Sequence, residues 1–102
     1  MVQRSADAFL GLGFNIANLA LVTHLLARQC GYLPGEIVWF GMDVHLYSNH
    51  IEQAKEQIAR TPKPFAQLEI DPSVQSLFDY RIEHLNVQNY QSHEAIAAAV
   101  AV

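Results

Sequence analysis

Cysteine and cationic residues are scarce in this sequence of 102 residues. Cys30 is the one cysteine, so the chain cannot form an internal disulfide, and we expect a cytoplasmic protein. Six Lys and Arg residues stand against ten Asp and Glu residues, which gives a net charge of −4. The cationic residues are scattered, whereas nucleic-acid binding normally needs a basic patch. We therefore expect no nucleic-acid partner.

Long apolar runs and metal-binding motifs are also missing. The longest apolar stretch, residues 16–27, is interrupted by Asn18, Thr23 and His24 and is too short to cross a bilayer. We therefore expect no membrane partner. The first residues lack the basic and apolar regions of a signal peptide. Neither a His-Glu-x-x-His pattern nor paired cysteines occur, so we expect no metal site.

The composition that remains is that of a folded protein, with 51% hydrophobic and 16% charged residues. The length fits a single domain, residues 1–102. A helix is predicted over residues 15–29, with Gly31 as its C-terminal stop. The apolar face of this helix is so wide that the helix must be buried on nearly all sides. A small domain has too few residues to enclose such a helix easily.

Strands and a second helix are predicted further along the chain. Residues 37–47 favour a strand, and an amphipathic helix follows to about Arg60, with Asn49 as its N-cap and Glu52 completing a capping box. Residues 65–70 and 77–87 favour extended structure, and the last ten residues are mostly small and apolar. This alternation of strands and helices predicts an α/β or α+β fold.

Two groups of polar residues are candidates for a site. Arg4, Ser5 and Asp7 form a polar run that either binds an anion such as a phosphate or makes an ordinary surface ion pair. In the strand predicted further on, Asp43, His45 and Tyr47 share one face. Three such side chains require water, a ligand or one another, because burying them dry is costly.

The cysteine is a poor candidate for a nucleophile. Cys30 falls at the C-terminal end of the predicted helix, where the helix dipole disfavours a thiolate. We expect a small buried side chain there instead.

Longer motifs carry a family resemblance. "QRSADAFLGLGFNIA" and, about thirty residues on, "DVHLYSNHIEQ" are similar to the C-terminal part of thymidylate synthase, and "PKPFAQLEI", "FDYRIEHL" and the final "AVAV" extend the similarity through the whole chain. The resemblance implies an α+β fold in which a mixed sheet packs with a long buried helix and one amphipathic helix. It implies conversion of dUMP to dTMP by reductive methylation, with methylene-tetrahydrofolate as co-substrate, in a homodimer whose sites also receive arginines from the partner subunit.

The resemblance also implies roles for single residues. Arg4 and Ser5 match the phosphate-binding pair, and Asp7 matches an aspartate that contacts the folate pterin and joins the proton and water network of the site. Asn15 matches the asparagine that hydrogen-bonds the uracil edge, and it favours a uracil over a cytosine substrate. Asp7 and Asn15 are thus the supporting catalytic residues.

Sugar and tail contacts complete this set. His45 and Tyr47 match residues that hold the deoxyribose 3′-hydroxyl, and Ala101 matches the tail that closes over the folate. A tail that closes over a ligand in this way accounts for an apolar C-terminus.

The sequence departs from the family pattern in places. The nucleophilic cysteine of the family lies in a Pro-Cys-His segment upstream of the QRS motif, and this chain does not contain it. Gly13 replaces an expected proline, and residues 89–99 replace much of the usual tail pattern. One hypothesis is an incomplete domain that works when a missing N-terminal half or a second chain supplies the nucleophile. The other is an inactive remnant that serves as a nucleotide-binding or protein-interaction module.

Overall fold

The computed structural model describes residues 1–100, which contain two helices, four strands and three short 3₁₀ turns. In chain order the strands and helices are β1 (Val2–Asp7), α1 (Leu12–Gln29), β2 (Phe40–His45), α2 (Ile51–Ala59), β3 (Gln67–Ile70) and β4 (Leu85–Gln88). The 3₁₀ turns are Ser48–His50, Leu77–Asp79 and Ile82–His84. This mixture of helices and strands confirms an α+β fold.

The strands form two separate pairs. β1 and β2 are parallel neighbours, with α1 in the connection between them, and β3 and β4 form an antiparallel pair. The expected mixed sheet is therefore divided, within residues 1–100, into a parallel and an antiparallel ladder. Parallel strands need a long crossover, and here the eighteen residues of α1 supply it.

Helix α1 begins three residues before the predicted start and ends at the predicted residue. Its last turn closes through bonds from the Cys30 N–H to the Leu26 carbonyl and from the Gly31 N–H to the Arg28 carbonyl. Gly31 has a φ of 71°, a left-handed conformation that glycine adopts without a Cβ penalty, so it stops the helix as expected. Cys30 is exposed, so the expectation of a buried filler was wrong. The residue lies beyond the helix, where no neighbour covers it.

Helix α2 starts differently from the prediction. It begins at Ile51, and neither Asn49 nor the N-cap His50 makes a side-chain capping bond to it. Asn49 instead donates from Nδ2 to the Ala99 carbonyl, 3.3 Å away, and Glu52 pairs with Lys55 at 2.7 Å. The capping box was therefore a wrong prediction, because a carbonyl fifty residues away takes the Asn49 amide.

Two predicted extended stretches are shorter in the structure. Residues 37–39 precede β2 without joining it, and residues 77–84 contain two 3₁₀ turns before β4 begins. The first of these turns follows Ser76, whose hydroxyl accepts the Phe78 N–H at 3.3 Å. Such side-chain bonds to nearby backbone compete with strand pairing, which explains the shortening.

The core of the described residues is very small. Ala6 and His50 are buried, whereas α1 has no buried residue although it is apolar nearly all round. Large side chains such as Phe65, Phe78 and Leu33 are each more than 90% exposed. These residues do not cover one another, so α1 is a long apolar helix as predicted but is not enclosed by this chain.

The overall dimensions agree with this lack of cover. The accessible surface is 8077 Å², whereas a folded chain of 11.4 kDa exposes about 5,800 Å². The radius of gyration is 16.2 Å against about 13 Å for a compact domain of this length. A groove of about 580 Å³ also lies open between α1 and the β3–β4 pair. These values indicate that more protein must cover this chain before it has an ordinary core.

The turn after β3 generates a prediction about pH. The hydroxyl and the backbone N–H of Ser73 hold the pKa of the Asp71 carboxyl below its ordinary value, the backbone bond being 2.8 Å long. The charged carboxylate stabilises the folded state at pH values above the pKa of an aspartate in the unfolded chain, about 3.9. This stabilisation is lost as the pH falls through the lower pKa that Asp71 has in the folded state. In a carboxyl NMR titration, Ser73→Ala should raise the pKa of Asp71; an unchanged pKa would contradict the assignment of the cause.

Candidate active site

The parallel pairing of β1 and β2 brings the two predicted polar groups together. Ser5 is registered beside Asp43 and Asp7 beside His45, so these four residues are neighbours on one face of the sheet. The Ala8 N–H donates to the His45 carbonyl at 2.8 Å, which extends the pairing one step past the strand end. The site is therefore built at the carboxyl ends of two parallel strands.

Arg4 lies on the other face of β1 from Ser5 and Asp7, because side chains alternate along a strand. It is exposed, and within residues 1–100 no carboxylate forms an ion pair with it. Ser5 is half-buried. The pair predicted to bind an anion is thus divided between the faces, and the guanidinium is available to a ligand.

Asp7 shapes the connection from β1 to α1. Its Oδ1 accepts the Phe9 N–H at 2.9 Å and the Leu10 N–H at 3.2 Å, and its carbonyl accepts the Gly11 N–H at 3.1 Å. Both side-chain bonds use the same oxygen. Within residues 1–100 nothing bonds to the second oxygen, Oδ2, which is open to a ligand or water.

His45 and Tyr47 form an aromatic pair beside Asp43. Their rings meet edge to face with centroids 5.0 Å apart, and His45 Nδ1 lies 3.5 Å from the Asp43 carboxylate. The three side chains predicted to share one face are therefore in contact in sequence order, although Tyr47 lies just beyond the end of β2.

Asn15 is held by a chain of hydrogen bonds that sequence reasoning missed. The Gln3 Nε2 donates to Asn15 Oδ1 at 2.8 Å, and Gln3 Oε1 accepts from Trp39 Nε1 at 3.0 Å. Gln3 lies two residues before Ser5, on the same strand face, and this period-two spacing was the signal that could have found it. The network orients the Asn15 amide with Oδ1 toward Gln3, and the Nδ2 donor has no partner among residues 1–100.

With this geometry in place, one comparison with known proteins decides the family. The family model for thymidylate synthase matches residues 1–102, the full length of the chain. The chain belongs to the thymidylate synthase family. The resemblance read from the motifs is thereby confirmed, together with the general function of a methyltransferase family that uses dUMP and methylene-tetrahydrofolate and works as a dimer.

Other expectations have a more limited outcome. Ala101 lies outside the described residues, so its role stays a prediction. Neither helix of the described chain is long and apolar enough to cross a membrane. Residues 1–100 contain no group of three or more His, Cys, Asp or Glu side chains placed to hold a metal ion.

Close packing at Gly41 gives a test of the Asn15 network. A Cβ at Gly41 would collide with the indole of Trp39, whereas one at Gly13 in α1 would meet nothing within 4 Å. Gly41→Ala should therefore displace Trp39 from Gln3 and release Asn15. Since Trp39 is the single tryptophan, its emission should shift to the red in Gly41→Ala and stay unchanged in the control Gly13→Ala. Equal spectra for the two variants would contradict this packing.

Proposed function

We propose that this chain supplies the dUMP site and part of the folate site of a thymidylate synthase, which methylates dUMP to dTMP with methylene-tetrahydrofolate as carbon and hydride donor. The observation that carries the proposal is the parallel register of β1 and β2, which sets Ser5 and Asp7 beside Asp43 and His45. It supports a single site built from two segments that lie about forty residues apart in the sequence.

Phosphate binding is assigned to Arg4 and Ser5. A nucleotide monophosphate is a dianion, and a guanidinium with no carboxylate partner is well suited to bind it through charge-assisted hydrogen bonds. The long side chain of Arg4 has to reach past the edge of β1 for both residues to bind one phosphate, since they start on opposite faces. The Ser5 hydroxyl adds a neutral hydrogen bond.

Sugar and base binding are assigned to the pair His45–Tyr47 and to Asn15. A deoxyribose hydroxyl both donates and accepts, and the imidazole and the phenol can each do either. The free Nδ2 donor of Asn15, fixed by Gln3, suits a carbonyl of the uracil edge, and the second lone pair of Oδ1 can accept a ring N–H. A pre-oriented amide of this kind discriminates between pyrimidines.

Folate binding is assigned to Asp7 and to the C-terminal tail. A cavity of about 210 Å³ lies between the start of α1, the helix α2 and the tail, and its walls include Phe9, Leu10, Phe14 and Ile96. The apolar and aromatic part of these walls fits the flat rings of a folate, and Gln57 and Arg60 make the remaining wall polar. Asp7 precedes Phe9 and Leu10, so its free Oδ2 suits the polar edge of the pterin and the proton transfers of the site, and Ala101 belongs to the closing tail.

The nucleophile has to come from protein outside these 102 residues. Cys30 follows α1 and is exposed, and it lies between Gln29 and Gly31 and not in a Pro-Cys-His segment. The uncovered apolar surface of α1 and of the β3–β4 groove supports a large interface with that protein. We therefore propose a cytoplasmic homodimer in which the catalytic half completes each site.

Complementation tests the enzymatic proposal. The chain mixed with an N-terminal half that contains the Pro-Cys-His segment should form dTMP from dUMP and methylene-tetrahydrofolate, and Cys30→Ala should leave the rate unchanged. Labelling by a fluorinated dUMP analogue should report the added cysteine and not Cys30. A folded mixture that makes no dTMP would count against the proposal.

Calorimetry with dUMP tests the phosphate assignment. Arg4→Ala should weaken binding at least tenfold, because a charge-assisted hydrogen bond contributes about 1.5–3 kcal/mol. Arg81→Ala removes the same charge from a turn outside the β1–β2 pair and should leave the affinity unchanged. Equal losses in both variants would indicate a general effect of charge in place of a phosphate site.

The alternative function is an inactive nucleotide-binding or protein-interaction module. The open groove between α1 and the β3–β4 pair favours it, because an apolar groove is also a surface for another protein. A dUMP signal that depends on Arg4, without turnover after complementation, would favour the nucleotide-binding form. No heat at millimolar dUMP would leave the interaction role.

A further inference from the structure

The last described residues lie along α2 and are tied to it at both ends. We call residues 94–99 the tail segment. Near the C-terminal end of α2, Arg60 donates from Nη1 to the Glu94 carbonyl at 2.6 Å, and the neighbouring His93 bonds from Nε2 to the Thr61 carbonyl at 2.8 Å. Near the N-terminal end, the Ala99 carbonyl lies 2.7 Å from His50 Nε2 and 3.3 Å from Asn49 Nδ2.

The spacing of these anchors matches an extended strap. Five residue steps of extended chain cover about 17 Å, and the nine residues of α2 rise about 14 Å. The tail segment therefore has the length to run antiparallel to the helix from one anchor to the other. Ile96, midway along it, lines the cavity that Phe9, Gln57 and Arg60 also line.

His50 is the most constrained of the anchors. Its exposure is 0%, and its ring packs against Phe9 and Tyr47, with centroids 5.4 and 6.1 Å away. Because a carbonyl oxygen can only accept, the bond to Ala99 requires a proton on Nε2. A neutral ring then has a bare Nδ1, and that buried atom has no hydrogen-bond partner among the described residues.

A buried nitrogen without a partner needs an explanation, since such atoms are uncommon in folded proteins. If this position only had to fill space, a leucine would do so without leaving a polar atom unsatisfied. The bond from Nε2 to Ala99 explains why an imidazole is placed here, and the unpartnered Nδ1 is the cost of that bond. The contact thus points to a specific task for the ring.

We propose that His50, as the neutral Nε2–H tautomer, is the positioning residue that locks the tail segment onto α2 through the Ala99 carbonyl. Asn49 is the weaker, exposed second donor. Where the tail takes part in folate binding, which rests on the proposed function, this lock sets the position of the tail wall of the folate cavity. The lock itself is a property of the chain and does not depend on catalysis.

The first test is the tautomer in the unsubstituted chain, used in the folded state, alone or with the complementing half. Long-range proton–nitrogen NMR correlations should show His50 with a protonated Nε2 and a bare Nδ1, as one fixed tautomer. A protonated Nδ1, or two tautomers in exchange, would overturn the proposal. No enzymatic turnover enters this measurement, so its failure is distinguishable from failure of the proposed function.

The second test is a matched pair of variants. His50→Gln keeps a side-chain N–H at a similar reach, and His50→Leu keeps apolar volume without a donor. The heteronuclear NOE of residues 96–100 should stay high in His50→Gln and fall in His50→Leu, while the values across α2 stay high in both. The loss corresponds to about a fivefold lower population of the locked tail, or about 1 kcal/mol.

The other outcomes of this pair decide against the lock. An unchanged tail in both variants would show that packing alone holds it, and a released tail in both would show that the donor is not what matters. If α2 also melts in a variant, the tautomer of the unsubstituted chain decides. In the complemented enzyme, His50→Leu should raise KM for methylene-tetrahydrofolate about fivefold, and His50→Gln should recover most of that loss.

Discussion

The parallel pairing of β1 with β2 is the constraint on which the candidate site depends. It fixes the register of Ser5 with Asp43 and of Asp7 with His45, and it does so across the long crossover that α1 provides. Polar residues from two segments about forty residues apart therefore meet on one face of the sheet, with Arg4 on the other face. The same pairing also positions the residues that follow each strand. After β1 these form the turn that Asp7 closes, and after β2 they include Tyr47 with its ring. A slip by one residue would turn the Ser5–Asp7 face away from His45.

The same pairing leaves a large apolar surface without cover, and this explains the low burial. A helix that is apolar nearly all round is stable in water only when other elements enclose it. Within residues 1–100 the elements beside α1 are the β3–β4 pair and a few loops. The excess exposed surface, about 2,300 Å², is in the range of an obligate interface. The geometry of the candidate site thus lies within residues 1–100, whereas the cover that α1 needs does not.

Sequence patterns predicted the structural features that depend on residues close together in the chain. The end of α1 follows from Gly31, and the shared face of Asp43, His45 and Tyr47 follows from strand alternation. The errors arose where a partner lies far along the chain: Asn49 was assigned to its own helix but binds Ala99, and Gln3 was passed over because its partners, Asn15 and Trp39, lie 12 and 36 residues away. Strand alternation alone places Arg4 opposite Ser5, and the prediction that grouped Arg4 with Ser5 and Asp7 did not apply it.

The tail, residues 89–99, departs from the family pattern, but its contacts are of a kind that tolerates such changes. Arg60 and His50 both bond to main-chain oxygens of the tail, and His93 bonds to the main chain of Thr61, so these anchors do not require particular side chains at Ala97 and Ala99. Asn89 has a φ of 57°, and asparagine tolerates this left-handed conformation better than most residues. The anchors at Glu94 and Ala99 thus depend on donors that flank α2 and not on side chains of the tail, whereas the bond of His93 depends on its own ring. Changes at Ala97 and Ala99 therefore leave these anchors in place, whereas a change at Ile96 would alter the wall of the cavity.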